Sequence, residues 1–438
     1  MQFKQYPSYK NSGVEWLGDV PEHWQIVRTK DIFNHRKEEA LEDDEIVTAF
    51  RDGQVTLRKN RRTDGFTNSI KEHGYQHINN GDLVIHEMDA FAGAIGVSDS
   101  SGKSTPVYTV CYAKNENINH HFYSHFFRTM AKTGFINSLA KGIRVRSTEF
   151  RWNESRNVYL AEPPKADQEK IVSFLDTETA RIDNLIAKQE KLIELLEEQR
   201  KSIISHAVTK GLNPNAPMKD GGVEWLGEVP EHWMTPSSKH LLEIPITDGP
   251  HETPNFVDDG VPFISAEAIS KGKIDFDKKR GYITPELNAI YSKKYSPKIE
   301  DIYMVKSGAT TGKVAMVETT EEFNIWSPLA VFRCNKNKVL PKFLLAVFNS
   351  SHFYDALVLN WSYGTQQNIG MGVLSNIEIP CPPLKEQAEI IQHLDAQNTK
   401  FDKLISTQSQ LIEKLKEYRS SIISHAVTGK IDVREFSA

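Results

Sequence analysis

The sequence predicts an α+β protein: two tandem α+β domains separated by two long antiparallel coiled-coil helices, the whole written as a pseudo-two-fold internal repeat. Three observations lead there. GVEWLGDVPEHW at 13 to 24 returns as GVEWLGEVPEHW at 222 to 233, with only Asp19 turned into Glu228. The stretch from Ala166 to Thr209 contains neither proline nor glycine and carries a helical apolar stripe. The segments between hold short apolar runs bounded by Gly, Asn and Pro. A chain of 438 residues also exceeds what one hydrophobic core usually serves.

The repeat extends well past its first motif. PPKADQEKIVSFLD at 163 to 176 is echoed by PPLKEQAEIIQHLD at 382 to 395, and SIISHAVT at 202 to 209 recurs letter for letter at 421 to 428. The first motif recurs after 209 residues and the other two after 219, so the second copy holds about ten more residues between them. Fainter echoes run through the divergent middles. GYQHINNGDLVI (74 to 85) meets KYSPKIEDIYMV (294 to 305), and Gly93 and Gly312 each fall eleven residues after Asp82 and Asp301. Lys59, Arg61 and Arg62 in one half answer Lys278, Lys279 and Arg280 in the other. Similar ends with divergent middles suggest a common frame carrying different contacts.

In chain order the segments are a repeat motif (1 to 24), an α+β domain (25 to 162), a spacer helix (163 to 210), a linker with the second motif (211 to 233), a second α+β domain (234 to 381), a second spacer helix (382 to 430) and a tail (431 to 438). Within the domains DLVIHEM, YTVCYA, DIYMV, KVAMV and LAVFR read as strands, and FYSHFFRTM and PKFLLAVFNSSHFYDAL as short helices. Pro163 and Pro164 end the preceding strand and precede a helix start. Ile182, Ile186, Ile193, Leu196 and Ile203 recur at helical spacing, and Phe401, Ile405, Ile412, Leu415 and Ile422 match them in the second copy. Roughly 40 residues at 1.5 Å each make a rod of about 60 Å. One such narrow stripe alone fits a coiled coil that oligomerises the protein. Two equivalent helices in one chain can bury their stripes on each other, and a two-fold relation makes them antiparallel.

Catalytic strings fail on spacing. GATTGKV (308 to 314) leaves three residues between its glycines where a phosphate-binding loop needs four, and GVSDSSGKST (96 to 105) spaces its glycines wrongly too. HEMDA lacks the second His of a zinc helix, and His120 with His121 has no third ligand nearby, so no metal site is indicated. EPPK and CPPL lack the Asn or Asp and the aromatic of an amino-methyltransferase signature. Carboxylate pairs such as Asp43 with Asp44, or Asp258 with Asp259, read as solvated loop charges. The chain reads as non-catalytic, with no cofactor of its own.

The opening MQFKQYPSYK has no apolar core of a signal peptide, and no run of eighteen uncharged apolar residues occurs. Cys111, Cys334 and Cys381 are odd in number and far apart, as in a reducing compartment. A soluble cytoplasmic protein without membrane contact is expected. At a formal charge of -5, any nucleic-acid surface must be local.

VEWLGDVPEHW, the PP...EQ start of a long helix and the SIISHAVT end, each present twice, resemble the specificity subunit of type I restriction-modification enzymes over nearly the whole chain. The resemblance implies two target recognition domains, each reading one half of a bipartite double-stranded DNA sequence, with the paired helices as a ruler. It implies docking of two methyltransferase subunits, which bind S-adenosylmethionine and methylate adenine N6, and of restriction/translocase subunits in the full complex. Trp16, Trp24, Trp225 and Trp233 are expected to pack at the helix ends, a partner-binding role being the alternative.

The segment before each long helix is the candidate for base contacts. KGIRVRSTEFRW offers Lys141, Arg144, Arg146 and Arg151, and YGTQQNIG offers Tyr363, Thr365, Gln366, Gln367 and Asn368. Arg bridges guanine O6 and N7, and Gln or Asn bridges adenine N6 and N7. Lys59, Arg61, Arg62, Lys278, Lys279 and Arg280 suit phosphates, which position without specifying. Lys306 and Lys313, beside the turn Ser307 to Gly312, form a further group. Solvated loop charge is the alternative for any one of them.

Overall fold

The computed structural model describes residues 3–61, 73–139, 150–270, 272–360 and 368–436. The chain divides into two compact units, Met1–Gln189 with Gln410–Ala438, and Glu190–Ser409.

In the first unit the strands that frame the candidate site include β1 (Gln25–Arg28), β2 (Phe33–His35), β3 (Leu83–His86), β4 (Ile95–Val97), β5 (Tyr108–Ala113) and β6 (Tyr159–Glu162). Helix α1 (His120–Lys132) lies between β5 and β6, and α2 (Lys165–Lys210) follows β6. The main sheet has the order β2-β5-β3-β4, antiparallel throughout, with Cys111 opposite Leu83. Strand β3 is apolar on both faces because both are covered. Leu83 and Ile85 join the core with Phe122, Phe126 and Met130 of α1, while Val84 turns to a smaller cluster with Val47, Val55 and Val110. Asn119 caps α1, its side chain accepting from the amides of His121 and Phe122 at 2.9 and 3.2 Å.

In the second unit β7 (Thr247–Asp248), β8 (Ile302–Val305), β9 (Val314–Met316) and β10 (Leu329–Phe332) form the antiparallel order β7-β10-β8-β9, with Ile302 opposite Phe332. This is the arrangement of the first unit, and β8 alternates in the same way. Ile302 and Met304 join the cluster containing Phe343 and Leu344, and Tyr303 and Val305 the cluster on the other face. Helices α3 (Pro341–Phe348) and α4 (Ser351–Leu359) follow, and then α5 (Leu384–Val427), whose residues from Gln410 on belong to the first unit. Gly93 and Gly312 stand in the β3–β4 and β8–β9 turns at φ +92° and +90°, a left-handed conformation that explains why both copies keep glycine there.

Each unit is joined to its long helix by the same device. Gln168, 1% exposed, donates to the carbonyls of Pro163 and Asn117 at 2.8 and 3.1 Å and accepts from the Asn119 amide at 2.9 Å. Gln387, 0% exposed, donates to Pro382 and Lys338 at 2.9 and 3.0 Å and accepts from the Leu340 amide at 2.8 Å. His23 pairs with Asp167, and His232 with Glu386, both at 2.8 Å. Trp24 and Trp233 are fully buried. Each tryptophan abuts a glycine with φ +73° that ends a long helix: a Cβ on Gly429 would lie 3.1 Å from Trp24, and one on Gly211 3.2 Å from Trp233. Trp16 and Trp225 are half-buried, Trp16 against Phe126 and Phe135 and Trp225 edge-on to Phe353.

The long helices pair antiparallel within each unit. Asp183 meets Arg419 at 2.8 Å in the first, and Arg200 meets Asp402 in the second. Both partners are offset by the 219 residues of the sequence repeat, so this is one ion pair written twice. Of the stripe residues, Ile182, Phe401, Ile412 and Ile422 are buried and the rest half-buried, as two helices without further cover would leave them. Among the described residues no helix is long and apolar enough to cross a membrane.

Candidate nucleic-acid interface

The strands β3 and β8 each deliver the chain to a turn, and in both units the same backbone hydrogen bond ties a distant segment to it. The Phe150 amide donates to the Glu87 carbonyl at 3.0 Å, and the Ile369 amide to the Lys306 carbonyl at 2.8 Å. Both residues of each pair are separated by 219 from their counterparts. The stretch leaving each candidate base-contacting segment is therefore anchored at one structural position in both copies, the turn after the central strand.

The placement of the candidate residues follows from these anchors. Lys141, Arg144 and Arg146 lie outside the described residues, as do Arg62, Tyr363, Thr365, Gln366 and Gln367. Arg151 is beside the anchor, 3.7 Å from Glu87, whose other oxygen accepts from the Thr109 hydroxyl at 3.0 Å. Asn368 is exposed and bridges to Ser307, which brings it next to the Gly-rich turn that ends in exposed Lys313. The sequence proposed these as two separate groups, and the fold makes them neighbours. Lys306 is 12% exposed in its side chain and turns to buried Asp248 at 3.2 Å. Burial pushes the Asp248 carboxyl up, but hydrogen bonds from Lys294 and Lys306 outweigh it and hold the group below its ordinary range. Lys306 is thus committed to organising the turn.

The other cations sit in surface pairs. Lys59 meets Glu45 at 2.7 Å, and Arg61 meets Asp52 at 2.7 Å with its guanidinium over the Phe50 ring. Lys278 meets Asp275 at 2.9 Å, Lys279 lies over Tyr282, and Arg280 meets Glu267 at 3.1 Å while lying over Trp326. Exposed pairs of this kind are worth about 0 to 1 kcal/mol, so a phosphate can exchange for the carboxylate at small cost. Arg51, which the sequence did not single out, is exposed and pairs with Asp89 of the turn after β3 at 2.9 Å. A lone arginine in a divergent segment gives no signal of its own. Among the described residues no group of three His, Cys, Asp or Glu could hold a metal ion.

The chain thus consists of two copies of one mixed domain, each with a turn-anchored segment ahead of a long helix. The chain belongs to the family of the type I restriction modification DNA specificity domain, whose model matches residues 21–195 and again 230–417. It is a specificity subunit and not itself a catalyst. It is 24% identical over 95% of its length to the type I restriction enzyme MjaVIII specificity subunit of Methanocaldococcus jannaschii, covering 95% of that protein. It is 22% identical to the EcoKI specificity subunit of Escherichia coli K12, over 94% of this chain and 90% of that one. Among solved structures, a chain from work on complex assembly and conformational transition of the type I R-M system is similar at a TM-score of 0.66 and 16% identity, covering 93% of this chain and 98% of that one. The HsdS subunit from Thermoanaerobacter tengcongensis is similar at 0.53 and 17%, covering 94% and 98%. These likenesses establish the fold.

Proposed function

We propose that this chain selects a bipartite sequence in double-stranded DNA for a type I restriction-modification complex. Each domain, 25 to 162 and 234 to 381, reads one half-site, and the helices of 163 to 210 and 382 to 430 fix the spacer between them. The chemistry belongs to partners: two methyltransferase subunits that bind S-adenosylmethionine and modify adenine N6, and restriction/translocase subunits that cleave, all in the cytoplasm. The observation that carries the reading is the duplicated joint, in which Gln168 and Gln387 clamp equivalent backbone groups and so hold two divergent domains to their helices in one manner. Base contacts fall to the segments 141 to 152 and 363 to 370, with Lys59, Arg61, Arg62, Lys278, Lys279 and Arg280 on phosphates.

The test is to co-express the chain with its methyltransferase subunit in a host without adenine methylation and map methylated adenines. A two-part motif with a fixed spacer is expected. Replacing residues 25 to 162 by the corresponding domain of a relative should change one half alone. A single continuous motif, or a change in both halves, would defeat the assignment.

A further inference from the structure

In the first unit a cavity of about 400 Å³ lies between α1 and the last turns of α5. His125, Arg128 and Lys132 line one wall, and Ser420, Ser421 and Ser424 the other, with Glu417 as the acid on the lining. The imidazole Nδ1 of His125 and the Nε of Arg128 are buried with no hydrogen-bond partner among the described residues. Arg419 stands close by, engaged with Asp183 at 2.8 Å. Burial first, then the charges of Arg128, His121, Arg419 and Lys132, push the His125 imidazole down to about 3. Burial and the repulsion of Arg419 likewise lower Arg128, and burial with Arg128 and Arg419 lowers Lys132. The site thus gathers cations that disfavour one another.

The fold does not require them. Because α1 begins at His120 and α3 at Pro341, and because the Gln168 and Gln387 clamps grip Asn119 and Leu340, the counterparts of His125 and Arg128 are Ala346 and Asn349. There Asn349 bonds back to the Leu345 carbonyl at 2.9 Å, and Ser205, the counterpart of Ser424, accepts from the Ser351 amide at 2.8 Å. In the second copy neutral Ala346 and Asn349 replace His125 and Arg128, with Lys201 where Ser420 stands, whereas the first copy gathers its cations on α1.

We propose that this cavity binds a small oxyanion of the phosphate class, held by Arg128 and Lys132, with His125 and the serine hydroxyls completing its hydrogen bonds. A tetrahedral anion accepts from donors on two walls at once, which a flat carboxylate does less well, and the guanidinium fork suits it. A duplex is too wide to enter a space of this volume. Arg128 also packs against Gly53, where a Cβ would lie 2.3 Å from its Nη1. Gly53 follows Asp52, the partner of Arg61, so an occupied site stiffens the turn that carries a candidate phosphate contact.

Thermal denaturation of the full chain, titrated with inorganic phosphate against sodium chloride of equal ionic strength, tests this. A saturable rise in Tm is expected. The double variant His125→Ala with Arg128→Asn, which copies the second half, should fold and bind phosphate about tenfold or more weakly. Lys132→Gln, a single change in the last turn of α1, provides a second loss should the double variant not fold. Adenosine monophosphate saturating below inorganic phosphate identifies a phosphomonoester as the source, and equal or weaker binding identifies the free ion. No rise beyond chloride, or phosphate binding unchanged in the variants, overturns the proposal. Stabilisation that appears only with duplex DNA and depends on Arg128 overturns it too, by making the occupant a backbone phosphate.

Discussion

Replacing Gln387 by Leu keeps the volume of the side chain and removes its polar atoms. In the structure this leaves the Leu340 amide without its acceptor and the carbonyls of Lys338 and Pro382 with only the long contacts of the Cys381 thiol, at 3.6 and 4.0 Å, around a side chain with no solvent exposure. An unsatisfied buried group costs about 1 to 3 kcal/mol, and apolar packing by leucine offsets part of three such losses. A net loss of about 2 to 5 kcal/mol is expected, or roughly 5 to 15 °C in Tm for a unit of this size. His232→Ala, which breaks the neighbouring half-exposed pair with Glu386, should cost less than about 1 kcal/mol. Calorimetric melting of both variants decides between them. If Gln387→Leu costs no more than His232→Ala, the clamp is not what fixes the domain to its helix, and the explanation of the PP...EQ motif fails.

Arg144→Ala or Arg146→Ala should relax recognition in one half-site by about 1 to 3 kcal/mol of discrimination and leave the other unchanged; uniform weakening with a shallower salt slope would mark phosphate contacts. A chain opened at exposed Asn213–Pro214 and closed across its old termini should fold and keep its target, because the Asp432 amide bonds to the Lys4 carbonyl at 2.8 Å and Phe3 and Phe436 both pack on Phe174; insoluble product or lost methylation in a reconstituted complex would count against it. Acid should weaken the first unit. With His125 held at about 3 when folded and near 6.5 when unfolded, the unfolded state takes up the proton first, so stability is full above about pH 6.5 and falls by about 2 kcal/mol on going from pH 7 to 5. Hydrogen exchange of α1 amides should report this, and His125→Ala should flatten the slope.

The frame of the molecule was legible in the sequence because it is written twice. Pro163, Gln168 and Trp24 recur as Pro382, Gln387 and Trp233, and each doubled residue has a doubled contact. Asp82 and Asp301 were visible as an echo, and both accept a bidentate arginine, but from Arg36 in one unit and Arg333 in the other. That exchange cannot be read from spacing, because the space is filled from different strands. The candidate contacts were only partly legible for the same reason. Charge in a divergent loop shows the chemistry on offer, whereas the pairing of Lys306 with Asp248, and of Asn368 with the Ser307 turn, depends on tertiary neighbours far along the chain.

The central claim is that the paired helices measure the spacer. Lengthening one helix alone would slip either Asp183–Arg419 or Arg200–Asp402 out of register, so four residues are inserted in each, after Lys191 and after Gln410. Each insertion adds about 6 Å of rise and rotates the apolar stripe by about 40°, which a local change of winding absorbs. B-form DNA advances roughly 3.4 Å per base pair. Methylation mapping of the reconstituted complex should therefore show both half-sites unaltered and a spacer longer by about one or two base pairs. Retained activity on the original spacer would contradict the account.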